Sequence, residues 1–234
     1  MAKEKKVKAK KEKSIITENS MQFLRSYINN ASPVGFETAG QKLWLEYLKP
    51  YVDTHFSDPY GTAVGVINPT ETFKVVIEAH ADEISWLVNY ITDQGLIYLK
   101  RNGGVDHDVR RTNKKIIHGK KGPVKAVFGW PAIHTRIGQA DQKELQPKVE
   151  NLFLDCGARN KKEIQELGIH IGAVVTYEEG YDELAYDHLI GRAFDNRIGG
   201  FMIAEVARLL KENKKPLPYA LYVVNAVQEE IGLR

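Results

Sequence analysis

Three short polar clusters interrupt otherwise apolar stretches of the chain, and each holds side chains able to bind a cation or carry a proton. The first is His80-Ala-Asp-Glu83, directly after the strand-like run Lys74-Val-Val-Ile-Glu-Ala79. In an open α/β sheet, reactive groups gather beyond the carboxyl ends of the strands, which is where this cluster falls. Alternate residues of a strand share a side. His80 could therefore hold a metal through one ring nitrogen while Asp82 accepts the proton on the other. Taken alone, a His-x-Asp triplet at a strand end is more often a loop hydrogen-bonding arrangement than a metal site.

The second cluster is Gly191-Arg-Ala-Phe-Asp-Asn-Arg-Ile-Gly-Gly200, with Asp195 and Asn196 just before a helix. Either residue could serve as an ordinary helix cap. Alternatively, Asp195 is a carboxylate shared between two cations that accept oxygen ligands. Gly199 and Gly200 would let the helix approach its neighbours closely. The third cluster is Gln228-Glu-Glu-Ile-Gly232, at the end of an apolar run over residues 219–227. Two adjacent carboxylates there are unfavourable unless solvated, protonated or bound to cations. A solvated loop satisfies that condition. So does a division of labour in which Glu230 binds metal and Glu229 takes the proton from an attacking water.

The elements that must position these clusters are legible from spacing. Thr17 can cap a helix with Phe23, Leu24, Tyr27 and Ile28 on one face, and the stretch Ser32-Pro-Val-Gly35 interrupts it. A second helix carries Leu43, Trp44, Tyr47 and Leu48, and strands follow near residues 52–56, 62–67 and 73–79. From 87 to 187 short β-like runs are separated by Gly, Asn and Pro, with one short helix at 161–167, which predicts a small barrel or sandwich. Beyond it, Ile198, Met202, Val206 and Leu209 give a helical apolar stripe. The organisation this implies has four parts: a basic tail over residues 1–13, a first α/β segment over 14–86, an inserted β-rich domain over 87–187, and a second α/β segment over 188–234.

Composition bounds the function. The 234 residues are 43% hydrophobic, ordinary for a chain with a buried core. The net charge of +3 arises in residues 1–13, which hold seven Lys and two Glu, and the remainder is about neutral at −2. That tail lacks the interleaved aromatics of a nucleic-acid arm and the spacing of a membrane-surface helix, and it reads as a solvated extension. Neither a nucleic acid nor a membrane is expected as a partner. Lys13 is followed by only three apolar-compatible residues, so no export signal is visible, and the longest apolar runs fall well short of the roughly 20 residues that span a bilayer. Cys156 is the only cysteine, which rules out an intrachain disulfide and fits a reducing cytoplasm.

Taken in order around a β-rich insertion, HADEI, GRAFDNRIGG and VQEEIGLR resemble the metal-site signatures of peptidase family M-forty-two. This family comprises deblocking, leucyl and glutamyl aminopeptidases, some described as endoglucanases. The resemblance covers nearly all of residues 14–234. Within the insert, Leu152-Phe-Leu-Asp-Cys-Gly157 and Leu167-Gly-Ile-His-Ile-Gly172 resemble the family's dimerisation domain. The implied fold is a phosphorylase/hydrolase-like mixed-sheet α/β catalytic domain interrupted by a β-barrel-like domain. The implied site makes His80 a ligand of one metal, Asp195 the bridge, and Glu230 a ligand of the other. Glu229 becomes the general base and Asp82 orients His80. Two divalent ions, Zn²⁺ or Co²⁺, short peptide substrates and a homo-oligomer built through the insert belong to the same implication, as does a cis Asp195–Asn196 peptide.

Two departures from the family pattern stand out. Ser85 replaces the usual Gly, and the family's two further ligands, an Asp and a His, lie downstream of the double-Glu motif, beyond Arg234. Each cation would keep two protein ligands here, where catalytic zinc ordinarily has three. The reading is therefore a dinuclear aminopeptidase whose 234-residue chain holds part of the site. The rival is a non-catalytic fragment or pseudoenzyme that uses the insert as an oligomerisation module. A polysaccharide hydrolase ranks third, because that chemistry uses two carboxylates flanking a sugar without a metal.

Overall fold

The computed structural model describes residues 15–105, 114–130, 149–178, 180–214 and 216–233. The expected basic tail lies outside them.

The chain opens with helix α1 (Glu18–Asn29), and its start follows from the sequence. The Thr17 hydroxyl accepts the backbone N–H of Ser20 at 3.1 Å, and the Ser20 hydroxyl accepts that of Thr17 at 3.3 Å. This reciprocal pair satisfies donors that a helix terminus leaves open. Phe23, Leu24, Tyr27 and Ile28 are buried on one face, as the spacing predicts. Helix α2 (Thr38–Leu48) buries Trp44 and Leu48 against strand β2 (Ala63–Ile67). A Cβ at Gly65 would collide with Leu48 and lie 2.9 Å from Val52, so this glycine sets how closely α2 approaches the sheet.

The four-stranded sheet has the order β1-β2-β12-β3, with β1 (Thr54–Ser57), β3 (Lys74–His80) and β12 (Ala220–Ala226). It is mixed: β12 runs parallel to β3 and antiparallel to β2. Phe23 and Tyr27 of α1, Trp44 of α2 and Phe201 of α4 (Phe194–Glu212) form a shared core with Leu221 and Val223 of β12. Parallel pairing of β3 with β12 puts Ala226 opposite His80, so two polar clusters distant in sequence leave the sheet side by side.

Between β3 and α4 the chain builds a closed six-stranded barrel of order β4-β5-β8-β7-β6-β9. Its strands are β4 (Ser85–Ile91), β5 (Ile97–Asn102), β6 (Lys114–Gly119), β7 (Gly122–Gly129), β8 (Phe153–Asp155) and β9 (Val174–Tyr177). The short helix α3 (Lys161–Glu166) buries Ile164 in the barrel core with Trp86, Ile117, Phe128 and Leu154. Closure leaves none of these six described strands as an open edge. The mixed-sheet α/β architecture with a β-barrel insertion is thus as the sequence predicts. The first barrel strand begins at Ser85, and Ser85 is its fully buried first residue, whose hydroxyl accepts a bond from Asn102 Nδ2 at 2.9 Å. A two-stranded ribbon, β10 (Tyr181–Leu184) and β11 (His188–Gly191), leads from the barrel into α4.

One element differs from the pattern read in sequence. The residues Ile198, Met202, Val206 and Leu209 that give the helical spacing do lie on α4, but Met202 is 59% and Val206 41% exposed. The buried face carries Arg197, Phe201, Ala204, Glu205, Ala207 and Arg208. Ion pairing makes that face compatible with burial: Arg208 meets Glu205 at 2.8 Å, and Arg197 meets Glu83 at 3.1 Å. Among the described residues, no helix is long and apolar enough to cross a membrane.

Candidate metal centre

His80 is the last residue of β3 and is 7% exposed. Its Nε2 lies 3.3 Å from Oδ1 of Asp195 and 3.6 Å from Oε2 of Glu229. His80, Glu229 and Glu230 can each offer a donor atom so that all three lie within 4.8 Å of one another. Side chains from three separate segments thus meet beyond the carboxyl ends of β3 and β12. Asp195 and Glu229 both reach the same imidazole nitrogen.

Asp82 ties two of these segments together. Fully buried, its carboxylate accepts the backbone N–H of Glu229 on Oδ1 at 3.1 Å and that of Glu230 on Oδ2 at 3.0 Å. Its Oδ1 also lies 3.4 Å from His80 Nδ1, within ion-pair reach although the ring nitrogen has no aligned hydrogen-bond partner. Sequence reasoning assigned Asp82 to His80 alone. The two bonds to the Glu-Glu turn were not visible there, because they depend on β12 lying beside β3.

The Asp195 segment departs from regular helix. Ala193 is left-handed at φ 52°, Asp195 and Asn196 have non-helical torsions, and the Asp195–Asn196 peptide is cis, as the resemblance implies. Asp195 projects into solvent, with 91% of its side chain exposed. The two glycines that follow permit close packing. A Cβ at Gly199 would collide with the Asn196 amide and come within 3.1 Å of Ala79, and one at Gly200 would come within 3.0 Å of Asn225.

The electrostatics reflect four carboxylates around one imidazole. Burial pushes the His80 pKa down, but Asp82, Glu229 and Glu230 outweigh it and raise the value to about 8. Burial pushes Asp82 up, but the nearby His80 ring and the bonds from the Glu230 and Glu229 amides hold it below the ordinary carboxylate range. Glu230 is raised by burial and by the charges of Asp82, Glu229 and Asp195, against the attraction of His80. A cluster with this excess of negative charge and oxygen donors is suited to divalent cations. Its donor set of one imidazole and several carboxylates fits a hard or borderline divalent ion better than a soft one.

A cavity of about 850 Å³ opens on Asp195 and Glu230 and continues past Arg192, Phe194, Ile190 and Tyr177. Its size is in the range that takes small ligands.

A model of the M42 glutamyl aminopeptidase family matches residues 61–234. The chain belongs to this family. M42 relatives align along nearly all of it. The lysyl aminopeptidase of Pyrococcus furiosus is 28% identical, with 91% of this chain and 60% of the relative covered. A putative aminopeptidase of Acetivibrio thermocellus is 31% identical, with 93% and 61% covered. Among solved structures, a TET aminopeptidase from a marine sediment archaeon of the Thaumarchaeota superposes with a TM-score of 0.87. It is 26% identical, with 93% of this chain and 60% of that one covered. The chain spans 56% to 61% of the length of the first aminopeptidases it matches.

Proposed function

We propose that these residues form part of the site of a dinuclear metal-dependent aminopeptidase that removes the amino-terminal residue of short peptides. The observation that carries the reading is the approach of Asp195 and Glu229, from α4 and the end of β12, to the same Nε2 of His80. M42 membership and the aminopeptidase relatives support the peptide substrate class. The cavity beside Asp195 and Glu230 has room for the first residues of a peptide.

In this reading His80, Asp195 and Glu230 would hold the cations, with Asp195 as the common ligand, and Zn²⁺ or Co²⁺ would be the metal. Bound there, the cations would supply Lewis-acid polarisation of the scissile carbonyl and a more acidic water. Glu229, 29% exposed and beside His80, is placed to accept the proton of the attacking water and return it to the leaving amine. Asp82 keeps Nε2 of His80 facing outward by its charge beside Nδ1, and fixes Glu229 and Glu230 by accepting both of their amides. Tyr177, Phe194 and Ile190 line the cavity with apolar surface that would exclude water from the bound residue.

The reading extends to a homo-oligomer joined through the barrel, in the cytoplasm. The TET1 peptidase of Pyrococcus horikoshii, 22% identical with a TM-score of 0.77, is described as assembling into a tetrahedron or an octahedral shell. Equilibrium dialysis tests the metal assignment. The 234-residue chain is expected to bind zinc, and His80→Ala or Asp195→Asn to lower that affinity at least tenfold. Zinc binding that both variants leave intact would refute the assignment.

A further inference from the structure

The loop that carries Asp195 is held at both shoulders by one buried carboxylate. Arg192, three residues before Asp195, and Arg197, two residues after it, each donate from Nη2 to Oε1 of Glu83. The same oxygen accepts the backbone N–H of Ser32 at 2.9 Å. The side chains of Glu83, Arg192 and Arg197 are 3%, 4% and 0% exposed, so the cluster is almost wholly buried although Glu83 and Arg192 border the cavity. Glu83 lies three residues beyond His80 in the same polar run.

Regular structure does not hold this loop. Ala193, Asp195 and Asn196 all have non-helical torsions, so ordinary first-turn geometry does not fix the direction of Asp195. Its carboxylate is largely in solvent, and its one described ion-pair contact is with His80. The guanidinium groups supply the missing constraint. Arg197 donates from Nε to the carbonyl of Ala81 at 3.2 Å, and from Nη1 to those of Tyr27 at 2.8 Å, Ile28 at 3.3 Å and Asn30. Arg192 reaches the Asn30 carbonyl at 3.3 Å. The end of α1, the residue after His80 and both sides of Asp195 are thereby joined in one network. A planar fork bound at several points transmits position with little slack.

We propose that Glu83 is a positioning residue: through Arg192 and Arg197 it sets where the Asp195 carboxylate stands relative to His80 Nε2, and so how tightly the site holds a divalent cation. The inference rests on the metal reading given above. A purely structural pair would behave differently, because breaking it would lower stability without a specific effect on the cation. The fold provides the comparison. Glu205, 3% exposed and paired with Arg208 at 2.8 Å on the same helix, is an equally buried ion pair that touches none of the metal residues.

The test is zinc affinity by chelator competition and the visible spectrum of bound cobalt, measured on the 234-residue chain. Five proteins are compared: wild type, Glu83→Gln, Arg192→Lys, Glu205→Gln and Asp195→Asn. Glu83→Gln and Arg192→Lys are expected to lose about 10- to 100-fold in zinc affinity and to alter the cobalt spectrum. Glu205→Gln should lower the unfolding temperature while leaving affinity and spectrum at wild-type values. Should Glu83→Gln fail to fold, Arg192→Lys, which keeps the charge, decides the matter. Wild-type affinity and spectrum in the folded Glu83 or Arg192 variant, alongside loss in Asp195→Asn, would overturn the positioning role and leave the metal site standing. No zinc binding by wild type would overturn both.

Discussion

Asp82 is the residue on which the geometry of the centre depends most. One buried carboxylate faces His80 and accepts both amides of the Glu229-Glu230 turn, so its loss frees three side chains at once. Asp82→Asn retains the shape but can satisfy only one of those amides through its remaining carbonyl oxygen. The expected result is a loss of about 10- to 100-fold in zinc affinity, read by competition with a chromophoric chelator. The pH dependence of binding follows from His80. Its pKa of about 8 lies above the ordinary 6.5, so the contribution of the imidazolium to metal-free stability is fully present below about 6.5 and is lost as pH rises through 8. A cation must displace that proton. Zinc affinity is therefore expected to rise with pH and level off above 8, with close to one proton released from His80 per site at pH 7 and almost none at pH 9. Calorimetry in buffers of different ionisation enthalpy measures the release, and a pH-independent affinity would contradict the assignment of His80. His80, Asp195, Glu229 and Glu230 were legible in the sequence because each stands in a short polar break at the end of an apolar run. Glu83, Arg192 and Arg197 were not, although opposite charges flank the same clusters. Which carboxylate pairs with which arginine depends on tertiary contact.

At the scale of elements, the barrel contains a second departure from simple patterning. Lys115 on β6 is fully buried, with its ammonium 4.4 Å from the centre of the Tyr177 ring, 5.1 Å from Phe128 and 5.4 Å from Trp86. Burial lowers its pKa from the ordinary 10.5 to about 8, and no described carboxylate lies within ion-pair reach. Contact with three aromatic faces offsets part of the desolvation cost. Lys115→Met keeps the length and removes the charge, so it should stabilise the fold at pH 7 by about 1–3 kcal/mol, seen as a higher unfolding temperature. The sign at higher pH follows from linkage. Between pH 8 and 10.5 the unfolded chain holds this proton and the folded chain does not, so wild-type stability gains on the variant across that window. An advantage of the variant that stays constant from pH 7 to 10.5 would refute the assignment. Helix α4 teaches a related lesson about legibility. Apolar spacing located the helix but not its buried face, where Arg197, Glu205 and Arg208 enter the core as ion pairs that hydrophobic periodicity cannot register.

Across the whole molecule, short apolar runs separated by turn residues left a barrel and a sandwich both open, and the strands close into a barrel. What the sequence could not convey is how the outer layer is arranged. Strand β3 is an edge of the described sheet and exposes Val76 at 58%, with Phe73 at 68% just before it. On α4, Met202 and Val206 are exposed as well. These positions belong to a chain that spans about 60% of the length of its M42 relatives.

We propose that the cluster around His80 performs metal-dependent removal of amino-terminal residues. It is tested most directly by hydrolysis of aminoacyl p-nitroanilides in the longest natural chain that contains these residues, with metal content measured alongside. The account predicts activity that is lost on chelation and restored by zinc or cobalt. Glu229→Gln should keep its metal and lose roughly 10²-fold or more in turnover, because the water loses its proton acceptor. Glu230→Gln should lose metal occupancy and recover partly when metal is added in excess. Hydrolysis that survives complete removal of metal, or identical behaviour of the two glutamate variants, would contradict it.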